Sequence, residues 1–330
     1  MKLLAVDTSC DDSCVAIIDT EQWKLLSETV ISHIEPMKKF GGIVPEIASR
    51  EHLKALPLAV EECLKKAHLQ LSEIDWFGVT HRPGLIGALL VGVSYVKGLA
   101  FATGKPFSVF NHIEAHLFSP LLATLEGETV PAFPWIALVV SGGHTELFHV
   151  TETLQYHWLG GTLDDAAGEA FDKVGKLVGM AYPAGPTIDR WVRESASETQ
   201  RKIPFPRAQV EGFQFSFSGL KTAVALYVQK SNLEAEKLAI VASAQEAIVD
   251  QLVEKTRFAA QQFPQAKIVV TGGVACNSRL REKLNEAYFP ATRHCTDNAA
   301  MVAVLAGLYK RKEKLTAAPW TATAHSSGDF

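Results

Sequence analysis

The chain has 330 residues, 47% hydrophobic and 21% charged, the balance of a soluble globular protein with enough apolar mass for a large core in two lobes. A net charge of −4 gives no general attraction to polyanions, so any contact with nucleic acid must come from a local basic face or from partner proteins. The five cysteines (Cys10, Cys14, Cys63, Cys276 and Cys295) are odd in number and contain no C-x-x-C pair, which argues against a disulfide framework and for reduced thiols.

In chain order, Met1 to Asp7 reaches a carboxylate before a signal-peptide apolar core could complete, which points to a cytoplasmic protein. Leu3 to Val6 and Cys14 to Ile18 are short apolar runs that predict two strands around the polar turn Asp7-Thr8-Ser9-Cys10-Asp11-Asp12-Ser13. Phe40 to Glu46 is a glycine-bearing loop leading into a helix from about Ile47 to Lys66, with Pro57 marking a bend or break. A strand over Trp76 to Thr80 passes through Pro83-Gly84 into the longest apolar run, Leu85 to Thr103. That run carries Lys97 and is interrupted by Gly87, Gly92, Ser94 and Gly98, so it predicts a buried helix and not a membrane span.

Phe107 to Phe110 predicts the next strand, which feeds His112-Ile113-Glu114-Ala115-His116. Two histidines four apart share one helical face, because four residues advance about 400° on a helix of 3.6 residues per turn. That is metal-ligand spacing, but it is also the spacing of a chance pair, and a third ligand is needed to decide. Glu114 falls about 200° from His112, on the opposite face, whereas the zinc-protease pattern puts its glutamate directly after the first histidine. A metallopeptidase is therefore disfavoured.

The second half repeats the opening device. Trp135 to Val140 is an apolar run, Ser141-Gly142-Gly143-His144-Thr145 a turn, and Glu146 to Val150 an alternating strand. Two such turns, one in each half, suggest a duplicated architecture in which backbone N–H groups face an anionic ligand between the lobes. Asp164 to Lys173 opens a helix with acidic residues near its N-terminus, Asp172 lies too far in to cap it, and Tyr182 to Pro186 is a glycine-bearing loop. Arg190 to Gly212 is polar and poorly periodic; it contains Arg201-Lys202-Ile203-Pro204-Phe205-Pro206-Arg207, read as a solvated loop or an RNA contact. Ile268 to Val270 predicts a strand, followed by Thr271-Gly272-Gly273-Val274-Ala275-Cys276-Asn277 at a helix N-terminus, a geometry that cradles a nucleotide. The tail from Ala317, rich in Ala, Thr, Pro and Ser, predicts loose order. Strands alternating with helices predict an α/β fold with ligands at the carboxyl ends of strands.

The segments D-T-S-C-D-D (7–12), G-G-I-V-P-E-I-A-S-R (41–50), H-I-E-A-H (112–116), S-G-G-H-T (141–145), D-D-A-A-G-E-A-F-D-K (164–173), F-S-F-S-G-L-K-T (215–222), G-G-V-A-C-N (272–277) and C-T-D-N (295–298) together resemble the bacterial tRNA N6-adenosine threonylcarbamoyltransferase (TsaD) family, from residue 3 to about 310. The resemblance implies an actin-like (ASKHA) fold of two duplicated RNase H-like lobes with a ligand cleft between them. The implied division is an N-terminal lobe of 1–111 with helix 298–314 packing back, a C-terminal lobe of 112–297 with an insertion at about 190–214, and a loose tail of 315–330. The implied activity moves the threonylcarbamoyl group of threonylcarbamoyl-AMP to the N6 amine of the adenosine 3′ of the anticodon in tRNAs reading codons that begin with A.

Carried over residue by residue, the resemblance makes His112, His116 and Asp297 the metal ligands, and Val139, Val140, Ser141, Gly142, Gly143, Asp172, Gly185, Asp189 and Asn277 the substrate-binding positions. Fe2+ is the implied metal, although two imidazoles and a carboxylate with open positions also suit Zn2+. Asp11 and Asp12 are catalytic candidates that could orient the reacting groups or assist proton removal. The implied partners are tRNA, the paralogue TsaB and the ATPase TsaE, with tRNA contact expected at Arg50, Lys54, Arg201 and Arg207. The chain departs from the family pattern at Asp12, usually Glu, at His81-Arg82, where Ala-Gly is usual, and at Ala184, usually Gly. The competing readings are an ATPase or kinase of the same superfamily, which leaves the histidine pair unexplained, and a non-catalytic scaffold paralogue, which would lack that pair.

Overall fold

The structure, a computed structural model, describes residues 1–195 and 203–327. Its contacts divide it into one unit of Met1–Val130 with Thr296–Phe330 and a second of Pro131–Cys295.

The first unit carries a five-stranded sheet in the order β3-β2-β1-β4-β5, made of β1 (Lys2–Asp7), β2 (Asp12–Asp19), β3 (Lys24–Ser32), β4 (Trp76–Arg82) and β5 (Phe107–Asn111). β1, β2 and β3 form an antiparallel meander, while β4 and β5 continue the sheet parallel to β1. Alternation sorts the side chains: Leu4, Val6, Val15 and Ile17 share a core with Leu56, Val60, Leu89, Val93 and Val96. The last five lie on α2 (Pro45–Lys66) and α3 (Ile86–Thr103). The remaining helices are the short α1 (Ile34–Lys38), α4 (His112–Phe118) and the returning α10 (Ala299–Arg311), whose residues 299–306 are fully buried and which packs on β1, β2 and α4.

Four expectations change here. α2 runs unbroken through Pro57, which sits on the exposed side of the helix, so the carbonyl it leaves unbonded can be hydrated. α3 is long and apolar enough to cross a membrane, yet it packs along β4 and α2 with one face, burying Ala88, Leu89, Val93, Val96 and Ala100; Ile86, Leu90 and Phe101 stay exposed, so it is half-buried and not buried throughout. Residues 112–130 belong to the first unit and not to the second, because α4 packs against α10 and β5. The tail is ordered from 315 to 327. Ala318 N–H donates to the Phe107 carbonyl, Ser108 Oγ–H to the Thr316 carbonyl, His325 N–H to the His81 carbonyl and Gly84 N–H to that of Ser326. Trp320 packs on Phe107 at 5.4 Å between ring centroids. β5 is the last strand of its sheet, and the tail covers the edge it would otherwise expose.

The second unit has a four-stranded sheet in the order β8-β7-β6-β9: β6 (Trp135–Val140), β7 (Thr145–Glu152), β8 (Gln155–Gly161) and β9 (Lys267–Thr271). β6, β7 and β8 are an antiparallel meander and β9 is parallel to β6, which repeats the β3-β2-β1-β4 arrangement of the first unit. This is the duplicated α/β topology of the actin-like (ASKHA) class. The helices are α5 (Ala167–Leu177), α6 (Gly185–Glu194), α7 (Ser218–Val228), α8 (Leu233–Gln262) and α9 (Ser278–Lys283). They supply Phe171, Val174, Leu220, Ile248 and Leu252 to a core with Ile136, Leu138 and Val140. The polar stretch read as starting at Arg190 begins later, since α6 continues to Glu194. Its described part is anchored and not simply solvated, with Ile203 and Phe205 buried in that core and Arg207 paired to Asp250 at 2.6 Å. Arg201 and Lys202 lie outside the described residues.

Candidate metal centre

Parallel pairing of β1, β4 and β5 brings the carboxyl ends of these strands to one edge of the first sheet. β5 ends at Asn111, whose side-chain oxygen accepts from Ile113 and Glu114 N–H and so caps α4 directly ahead of His112. His112 and His116 therefore project from the first two turns of α4 on one face, with ring centroids 4.6 Å apart. Asn298 caps α10 through Met301 N–H, which fixes the adjacent Asp297. Glu114 turns to α10 instead, accepting from the Tyr309 hydroxyl at 3.0 Å and tying the two helices together.

The Nε2 atoms of both histidines approach the same Asp297 oxygen, at 3.7 Å for His112 and 3.0 Å for His116. The three donor atoms lie within 4.8 Å of one another, the two imidazoles buried and Asp297 partly exposed. Two donors each about 2.1 Å from one ion lie roughly 3.0 to 3.4 Å apart in octahedral or tetrahedral geometry; the His116–Asp297 pair at 3.0 Å meets this, and His112 at 3.7 Å would close by a few tenths of an ångström around an ion. The donor set fits as well: two imidazole nitrogens and a carboxylate suit Fe2+ or Zn2+ and leave positions on the exposed side open.

His112 Nδ1 meets Asp7 Oδ2 at 3.1 Å, while Asp7 Oδ1 accepts from Ser9 N–H at 2.9 Å. Burial pulls the His112 imidazole down, but the Asp7 and Asp297 carboxylates outweigh it and raise it to about 9. For His116 burial wins, and its pKa falls despite the bond to Asp297. A proton on His112 and a metal ion are alternative ways of balancing these carboxylates.

The β1–β2 turn sets the two catalytic candidates apart. Asp11 is raised by burial and by the Asp297 charge, and Asp12 feels the same Asp297 charge in addition to those of Asp11 and Asp7, so both are electrostatically linked to the cluster. Asp12 is raised by burial to about 7, and its Oδ1 has no hydrogen-bond partner among the described residues. A carboxyl group tuned near neutrality suits proton transfer. The turn is braced by three buried side chains that the sequence reading missed. His52 Nε2 lies 3.0 Å from the Cys10 carbonyl, which can only accept, so Nε2 carries the proton and Nδ1 accepts from Ser13 Oγ–H at 2.7 Å. Ser13 in turn accepts from His33 Nε2–H at 3.0 Å. Nothing in the spacing of these residues links them, because the fold brings them together from three elements.

In the second unit, the parallel pair β6 and β9 ends in Ser141-Gly142-Gly143 and Gly272-Gly273. Val139 and Val140 are buried in β6 and carry this turn. Gly168 N–H donates to the Ser141 carbonyl, and a Cβ on Gly168 would lie 2.6 Å from that oxygen, so only glycine lets α5 pack here. Open space faces Gly142, Gly143 and Gly273. Asn277 caps α9 through Leu280 N–H and donates to Gln245 Oε1 at 3.0 Å, while the next residue, Ser278, donates to Asp189 at 2.6 Å. Asp172 accepts from Ala184 N–H at 2.7 Å and from Gly185 N–H at 3.4 Å, bracing that loop. Asp164 and Asp165 precede α5 and do not lie in its first turn; Asp164 binds the 216–218 segment and Asp165 pairs with Lys173 and Lys221. Of the expected tRNA contacts, Arg50 and Lys54 pair with Glu46 and Glu51 on exposed turns of α2, arrangements weak enough to open for a phosphate. All five cysteines are free, as their spacing predicts.

Comparison with known proteins identifies the family. The sequence model of the family described as "TsaD: tRNA N6-adenosine threonylcarbamoyltransferase" matches residues 24–304. A protein of that name from Thermotoga neapolitana is 46% identical over 322 residues, 94% of this chain and 95% of its own. One from Kosmotoga olearia is 45% identical over 316 residues, covering 93% and 92%. Among solved structures the likeness is at the level of fold: T. kodakarensis HypF gives a TM-score of 0.64 at 13% identity over 95% of this chain and 49% of that one. The component A of Acidaminococcus fermentans (R)-2-hydroxyglutaryl-CoA dehydratase gives 0.55 at 15% identity over 96% and 100%.

Proposed function

The chain belongs to the tRNA N6-adenosine threonylcarbamoyltransferase family, and we propose that His112, His116 and Asp297 are the metal centre of its reaction. It is an acyltransferase that modifies tRNA by placing a threonylcarbamoyl group on the N6 amine of an adenosine. The donor is threonylcarbamoyl-AMP, the acceptor is the adenosine 3′ of the anticodon in tRNAs reading codons that begin with A, and AMP leaves. The single observation behind the metal reading is the convergence of the three donor atoms within 4.8 Å. When bound, the ion, Fe2+ with Zn2+ as the alternative, supplies Lewis-acid polarisation and a template for the threonylcarbamoyl group.

The chain's own residues supply the rest. Gly142, Gly143 and Gly273 offer backbone to the AMP moiety, since nothing fills the space a side chain would take. Asp172, Asp189 and Asn277 hold the turns around that site through the bonds described above, and Gly185 completes it. As the amine attacks the carbamoyl carbon its proton becomes acidic, and Asp12, poised at about 7, or Asp11 beside the Asp297 charge accepts it. An adenine amine is a weak nucleophile, so positioning contributes more than base strength. The protein works in the cytoplasm with TsaB and TsaE, which supply tRNA-binding surface that its own net charge of −4 does not.

Elemental analysis of the purified protein, followed by chelation and re-addition of Fe2+ or Zn2+, tests this reading. Stoichiometric metal whose removal abolishes transfer and whose return restores it is expected. Full transfer by the chelated protein would overturn it.

A further inference from the structure

Asp7 is fully buried, belongs to no group assigned above to metal or substrate, and is held at both ends. One oxygen accepts from Ser9 N–H at 2.9 Å and the other faces His112 Nδ1 at 3.1 Å. Asp7 ends β1 and His112 directly follows the end of β5, and these strands are tied through β4 by parallel pairing, so the separation of the two residues is set by the sheet. A carboxylate oxygen accepts, so in the neutral imidazole that a metal requires the proton belongs on Nδ1 and the lone pair on Nε2. Nε2 is the atom turned to Asp297.

We infer that Asp7 is a positioning residue for the metal centre, which fixes the tautomer and ring plane of His112 so that Nε2 is presented as the ligand. A carboxylate behind a ligating imidazole also raises its basicity and tightens the bond. His116 provides the contrast. Its Nδ1 is buried and has no hydrogen-bond partner among the described residues, so none of these orients the second ring in the same way. The site is thus built asymmetrically, with one imidazole locked by the first strand of the fold and the other held by packing on α4. This explains why the polar turn begins with a carboxylate that is buried while the chemistry-facing Asp11 and Asp12 follow it.

The inference rests on the metal reading, and its test separates the two. Zn2+ affinity is measured by competition with a chromophoric chelator for the full-length wild type and for Asp7→Asn, which keeps shape but removes charge. The expected result is about 10- to 100-fold weaker binding, with a Co2+ absorption spectrum altered in a variant that circular dichroism shows to be folded. Equal affinity with an identical Co2+ spectrum would overturn the role of Asp7. As a measurement that needs no Asp7 variant to fold, 15N-histidine labelling of the Zn2+-loaded wild type, assigned with His112→Gln, should show the proton on Nδ1 and metal on Nε2. Metal on Nδ1 would refute the inference while leaving the metal centre standing. No Zn2+ binding by the wild type would refute both.

Discussion

Two adjacent glycines at the end of β9 should behave oppositely on substitution. Gly272 has φ +94°, and a Cβ there would lie 2.3 Å from the Val140 carbonyl oxygen and 2.7 Å from its carbon. These are backbone atoms of the central strand β6 and cannot swing aside. With ψ 163° the residue sits in an extended positive-φ region that is essentially reserved for glycine and costs another residue about 1–3 kcal/mol, and forcing a methyl into packed space costs about 1–3 kcal/mol more. Gly272→Ala should therefore lose about 2–6 kcal/mol. At roughly 2–4 °C per kcal/mol for a unit of this size, the melting temperature should drop by about 4–24 °C. Gly273→Ala meets nothing within 4 Å and should shift it by less than about 2 °C. Scanning calorimetry of the two variants beside wild type reads the difference directly. Because the 272–277 turn carries Asn277, threonylcarbamoyl-AMP binding should weaken in Gly272→Ala as well. A Gly272→Ala protein as stable as Gly273→Ala would refute the close approach of this turn to β6.

Asn277→Ala removes both the α9 cap and the bond to Gln245, and should cost about 1–2 kcal/mol in denaturant unfolding, with a further loss in nucleotide affinity. His33 and His52 are both lowered by burial, so they stay neutral in the fold while an unfolded chain protonates them below about pH 6.5. Their contribution to stability is present above that pH and is lost as the pH falls toward their folded values. Asp12, raised to about 7, acts in the opposite direction, so the quantity to measure is the difference between wild type and His52→Gln: the variant should show the shallower acid loss. Deleting residues 315–330 should destabilise the first unit by about 2 kcal/mol or more, since hydrogen bonds to Phe107, Ser108, His81 and Gly84 go with it; an unchanged melting temperature would mean the tail is dispensable.

The parts of the fold legible in the sequence were those with strong local patterns. β1, β6 and α3 are continuous apolar runs and appear within a residue or two of expectation. β3 and β8 carry no clear strand signal because each is only half-buried, so polar residues such as Ser27, Glu28 and His157 dilute the period of two. The tail misled by composition: its small residues carry no periodicity, and their order comes from pairing with β5 and the loop after β4. Likewise the histidine pair was visible through its spacing, and Asp297 came from a family motif, but Asp7 could not be linked to His112 before β1 and β5 were placed in one sheet. The same holds for Ser13, His33 and His52.

The most direct test of the account is transfer of labelled threonylcarbamoyl from its adenylate to unmodified tRNA, with TsaB and TsaE present, by wild type and by a His112→Ala, His116→Ala double variant. Label on the tRNA with wild type, and none with a variant shown to fold, is the predicted result. No transfer by wild type, together with metal-dependent ATP hydrolysis by this chain alone, would contradict it and favour an ATPase.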